Sequence, residues 1–131
     1  MKADRAIGAR RWIIPDGYIP PASSGTLESH ESVCVLNTSD RDAHLRFTIY
    51  FEDREPLENI PYVVPARRTK HIRTSSLRGD GGRSIPAGVP YAIEVESDIP
   101  VVVQYSRMDS TQAENALMSV VAYPVREGEG Q

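Results

Sequence analysis

The chain has 131 residues, 40% of them hydrophobic, and a formal net charge of −3. That length suits one domain burying about two-thirds of its unfolded surface, and the acidic balance argues against a dedicated nucleic-acid binder. Ten prolines and nine glycines among short Val/Ile/Tyr runs point to an all-β protein rich in turns, and a single cysteine excludes an intrachain disulfide.

Met1 to Arg5 lacks an apolar signal core. No apolar run approaches the ~20 residues of a membrane helix, so a cytoplasmic protein without direct membrane insertion is expected. Residues 1–9 read as an N-terminal arm, 10–123 as one domain and 124–131 as a flexible polar tail.

Arg10 to Ile14 reads as the first strand, stopped by Pro15-Asp16-Gly17. Glu31 to Asn37 is apolar on both faces, as in a central strand, and its Cys34 is expected to be a buried, inert thiol. Thr38 to Asp42 has the length of a hairpin connection. Ala43 to Phe51 then alternates cleanly, with Ala43, Leu45, Phe47, Ile49 and Phe51 facing a core. Pro56 and Pro61 break the chain before Tyr62-Val63-Val64.

Arg67 to Arg73 follows, with positive charge on both faces of a strand-like run. A half-buried strand shows one apolar face, so this one is either an edge protected by charge or the wall of a polar site. The glycine-rich loop Gly79 to Gly82 lacks the Gly-Lys-Ser/Thr of a phosphate loop. Tyr91 to Ser97 alternates again, Asp98-Ile99-Pro100 turns the chain, and Val101 to Tyr105 continues. Asp109 and Gln112 have capping-box spacing for a short helical turn through Asn115, and Leu117 to Tyr123 is the last strand. The total is seven or eight short strands, the count of an antiparallel β-sandwich.

No catalytic spacing stands out. Ser29-His30 and Ser110 near Asp109 resemble triad fragments but lack a Gly-x-Ser-x-Gly elbow. His30, Glu31, His44 and His71 are side chains that zinc or iron accepts, yet none stands at a tight ligand spacing, and no metal or cofactor is expected. An anion or polyol pocket suits the residue types better. In it Arg67 or Arg68 with Arg107 would grip a carboxylate or phosphate, Trp12 and Tyr18 would stack on a ring, and Glu31, Gln104 and Asn115 would read hydroxyls. Against this stands a purely structural use: Trp12 in a core, Arg107 paired with Asp109 or Glu114, and Arg68 with Glu52 or Glu55.

Trp12 with Gly17-Tyr18-Ile19-Pro20, Ser29 through Asn37, Thr48-Ile49-Tyr50-Phe51, Val64 through His71, Val102-Val103-Gln104, Arg107 through Ser110 and Gln112 through Leu117 together resemble the small soluble sensory rhodopsin transducer family. The resemblance spans residues 12 to 123. It implies a single antiparallel β-sandwich, a homotetramer, and a non-enzymatic role in signalling or in binding a small polar, sugar-like or anionic metabolite. Family residues that coincide with the pocket are Trp12, His30, Glu31, Arg68, Lys70, His71, Arg107 and Asp109. Three alternatives stay open: docking to a seven-helix membrane photoreceptor, DNA binding through the basic run, and a sugar-active enzyme using His30 or His71 with Glu31.

Overall fold

The computed structural model describes residues 5–21, 30–109, 116–126 and 128, with the backbone only at 109 and 116. Among them lie eight strands: β1 (Ala9–Gly17), β2 (His30–Asn37), β3 (Ala43–Phe51), β4 (Leu57–Val64), β5 (Arg68–Arg73), β6 (Tyr91–Asp109), β7 (Ala116–Val121) and β8 (Tyr123–Pro124). Every pairing is antiparallel, and the sheet is open, in the manner of a β-sandwich. One layer has the order β4-β3-β6-β1-β8. The other runs β5-β2-β6-β7.

Both layers share β6. Its first half, Tyr91 to Val101, pairs with β1 and β3, and its second half, Val102 to Met108, pairs with β2. The chain therefore does not turn at 98–100, where the sequence suggests a break. Pro100 has no N–H to give a ladder, and it falls where β6 leaves one layer for the other, the kind of irregular position a strand proline occupies. The alternating apolar residues fill the space between the layers: Phe47 and Ile49 from β3, Val33 and Val35 from β2, and Ile93, Val95, Val101 and Val103 from β6 are all fully buried.

Two connections also differ from the sequence reading. Residues 38–42 do not close a hairpin, because β2 pairs with β5 and β6 while β3 pairs with β4 and β6; they carry the chain across the sandwich. The turn from β4 to β5 crosses back beside them. Buried Asn37 ties the two crossings together, its Nδ2 donating to the carbonyls of Arg41 (2.7 Å) and Val64 (3.1 Å) and its Oδ1 accepting from Ser39 Oγ (2.8 Å). Pro61 does not break β4, which lies at the edge of its layer, where a missing N–H is tolerated. β1 runs on through Pro15 to Gly17. Asp109 ends β6 opposite Ala116, and the helical turn expected over 110–115 lies outside the described residues.

The swap point of β6 is held from β1. Gly8 has φ +111 and sits so close to Val101 that a Cβ would fall 2.0 Å from its carbonyl oxygen, so only glycine fits. The Trp12 indole N–H lies 3.0 Å from both the Ala9 and the Val101 carbonyls.

Candidate functional site

Glu31 begins the inward-facing row of β2 that continues with Val33 and Val35, and only 1% of its surface is exposed. A carboxylate taken out of water needs partners for each oxygen, and the residue just past β1 and two side chains of β6 supply them. Tyr18 N–H, just past β1, donates to both oxygens at 3.1 and 2.9 Å. Arg107 Nε on β6 donates to Oε2 at 2.8 Å. The Tyr91 hydroxyl donates to Oε1 and lies 3.0 Å from Thr74 Oγ1, in a single 3-10 turn (Thr74–Ser76). Arg107 in turn reaches the Tyr105 hydroxyl (3.3 Å), lies over the Tyr105 ring and extends to Asp16 at 3.7 Å. Its side chain is 23% exposed, so the guanidinium links the buried carboxylate to the surface.

The electrostatics follow from this packing. Burial first, and then the Glu31 charge, raise the Tyr91 phenol far above the ordinary tyrosine range; the same two causes raise that of Tyr105. Both tyrosines therefore stay protonated, Tyr91 donating to Glu31 and Tyr105 accepting from Arg107. The Arg107 guanidinium is also raised: desolvation opposes its charge, but Tyr105 and Glu31 outweigh it.

The position of the cluster is informative. The connection from β1 to β2 leaves at Tyr18 and returns at His30, and the connection from β6 to β7 leaves at Asp109. Glu31 stands one residue inside the return of the first connection, and its register partner Arg107 two residues inside the departure of the second. The pair therefore clamps the end of the sandwich at which β2 begins and β6 ends.

The other expected site residues are dispersed. Trp12 is 4% exposed and belongs to the core. His30 pairs with Met108 in the ladder, and in β2 it faces away from Glu31. His71 is exposed opposite Cys34, on the face of that layer turned away from Glu31, so neither histidine forms an acid–base pair with Glu31. Arg68 and Lys70 are exposed on β5 opposite Asn37 and Val35. Arg68 is thus six positions, about 20 Å along the sheet, from the Glu31–Arg107 pair, too far to share an anion with Arg107. Neither of its suggested acidic partners is used; it donates instead to the Arg67 carbonyl at 3.1 Å. Among the described residues no three His, Cys, Asp or Glu side chains cluster as metal ligands. Cys34 is half-buried, its thiol raised by burial and partly lowered again by Ser106.

Tyr91, Tyr105, Thr74 and Asp16 are absent from the sequence-based site. A signal for two of them exists, since tyrosines on core-facing strand positions need a partner for the hydroxyl, and Glu31 shares the inward row of β2.

A second polar feature lies on the outer face of the other layer. A groove of about 520 Å³ is lined by His44, Arg46, Asn59, Pro61, Glu96 and Asp98 among others. Beside it Tyr50 donates to Glu94 at 2.6 Å, and this bond pushes its phenol up to about 12. Asp98 accepts from the His44 backbone N–H (2.8 Å) and meets the ring Nδ1 at 3.0 Å. Partial burial raises the Asp98 carboxyl, but the His44 contacts outweigh it and the net direction is down. A depressed folded value stabilises above the unfolded pKa of ~3.9 and loses that contribution as pH falls through the folded one. The urea midpoint should therefore fall further between pH 5 and pH 3 in the wild type than in Asp98→Asn. The difference should be under ~1 kcal/mol because both side chains are exposed; parallel curves would remove Asp98 from the acid response.

Among the described residues no helix is long and apolar enough to cross a membrane. The chain is similar to a structure described as that of Thermotoga maritima 1070, with 40% identity and a TM-score of 0.78 over 89% of this chain and 95% of that one. It is also similar to the Anabaena sensory rhodopsin transducer, with 44% identity and a TM-score of 0.68 over 76% of this chain and 95% of that one. No curated protein matches. The family model described as Anabaena sensory rhodopsin transducer matches residues 7–124, nearly the whole chain. The chain therefore belongs to the sensory rhodopsin transducer family.

Proposed function

We propose that this protein is a non-enzymatic cytoplasmic signalling domain that works as a homotetramer and docks a seven-helix membrane photoreceptor through the end of the sandwich clamped by Glu31 and Arg107. Family membership supports the role. The observation that carries the site is the buried Glu31, whose partners come from β1, β6 and the Thr74 turn and fix the departure points of two connections at one end. His30 and Asp109 border that end, and Arg107 with Asp16 marks its surface. Self-association is supported by β7, where Leu117 and Val121 are 72% and 70% exposed and Met118 and Val120 are exposed as well. Both faces of that strand are apolar and open, a surface that association would cover.

By light-scattering chromatography the protein should have a mass four times the 14.5 kDa of one chain. It should be retained by the photoreceptor of its source organism in nanodiscs at low salt, where charge steering is strongest. A monomer at micromolar concentration would refute the assembly, and absence of retention at low salt would refute the docking.

A small polar metabolite is the second reading, favoured by the groove at His44, Asn59 and Asp98, whose volume suits one such molecule. A ligand at a hundred times its Kd adds about 2.7 kcal/mol to stability. A thermal-shift screen of sugars, sugar acids and nucleotides that leaves the melting temperature unmoved removes this reading.

A further inference from the structure

Among the described residues the strand β5 pairs with β2 on one side and with no strand on the other. All of its residues except Ile72 are exposed. With Arg67 it carries four of the fifteen lysines and arginines of the chain within seven residues, and His71 besides. Among the described residues, Arg67 meets Asp40 at 3.7 Å, whereas Arg68, Lys70 and Arg73 meet no carboxylate. The rest of a chain whose net charge is −3 is thus acidic, yet it leaves this edge uncompensated. We propose that the free edge of β5 is a docking strand for an extended acidic segment of a partner protein, which adds to the layer β5-β2-β6-β7 as a fifth strand.

Two features of the edge select this occupant. An unpaired strand presents backbone N–H and C=O groups in alternation, and only another peptide backbone answers both. The basic side chains lie on both faces, Arg68 and Lys70 on one and His71 and Arg73 on the other, so an incoming strand with acidic residues on either face meets opposite charge across the ladder. A second copy of β5 is the wrong partner. Antiparallel self-pairing about its centre would set Arg68 against Arg73 at both ends, like charges opposed, with only Thr69 against Ile72 and Lys70 against His71 between them. Charge on an edge also guards against aggregation, but that use alone predicts no affinity for any peptide. The net negative charge of the chain does not cancel the attraction, because at physiological salt only charges within about 8 Å are felt strongly.

Six residues of β5 offer about 20 Å of edge. The probe is therefore a fluorescein-labelled hexapeptide of alternating glutamate and valine, followed by anisotropy against the full chain. We expect saturable binding that weakens at least tenfold in Arg68→Glu/Lys70→Glu. It should disappear for the same peptide N-methylated at alternate amides, which keeps every charge and removes the strand hydrogen bonds. Amide hydrogen exchange within β5 should slow on binding. No binding by the wild type, equal binding of the N-methylated peptide, or tighter binding of a DNA duplex that the peptide cannot displace would each overturn the proposal. Because the N-methyl comparison uses wild-type protein, it decides the question even if the double variant fails to fold.

Discussion

Arg107→Met should lower the unfolding free energy by about 3 kcal/mol, and the melting temperature by about 10 °C, measured by urea and thermal denaturation. Removing one member of a buried pair costs ~3–5 kcal/mol because it strands the other charge. The low end applies here, since Glu31 keeps the Tyr18 N–H and the Tyr91 hydroxyl after Arg107 is gone. Arg107 is also partly exposed and surrenders less hydration in the fold than a wholly buried arginine would. The double variant Glu31→Leu/Arg107→Met should recover part of the loss, because replacing both charges with apolar groups removes the desolvation cost along with the attraction. If the single variant stays within ~0.5 kcal/mol of wild type, the pair is not a clamp. The surface of the loop end would then rest on some other support.

The same pair shows what the sequence discloses and what it hides. Period-2 alternation places Leu45, Phe47 and Ile49 in the core, and β3 has the bounds that this alternation gives it. It also sets Glu31 on the same side of β2 as Val33. Which of the two faces is the interior depends on the neighbouring layer, and only the assembled sheet settles that. β6 was legible as two strands and is one, because a layer swap at Pro100 looks locally like a turn. The hairpin reading of 38–42 fails for a related reason: loop length fits either a hairpin or a crossing between layers, and the buried network at Asn37 that selects the crossing joins residues 27 and 28 positions apart. The charged faces of β5 were open to two readings, edge or pocket wall. The structure makes β5 an edge and puts its Arg68 far from Arg107, since pairing register, invisible in a single strand, sets which residues meet.

Trp12→Ala should cost ~3–5 kcal/mol, the range for removing a large aromatic from a core, while Trp12→Phe should still lose ~1–2 kcal/mol although most of the ring volume remains. The phenylalanine variant isolates the indole N–H. In the native fold that group satisfies the Ala9 and Val101 carbonyls where the β1–β6 register shifts and β6 passes between layers. A break in the ladder leaves acceptors without strand partners, and a buried acceptor deprived of its donor costs ~1–3 kcal/mol. A tryptophan serving as a stacking platform for a sugar would behave in the opposite way. Its loss would spare stability, and phenylalanine would preserve both stacking and fold. Fluorescence offers a direct check, because Trp12 is the only tryptophan. Buried at 4% exposure, it should emit well to the blue of free tryptophan and resist quenching by iodide until the protein unfolds. Emission near that of the free amino acid, or strong quenching in the native state, would place the ring on the surface and return it to the list of contacts for a ligand.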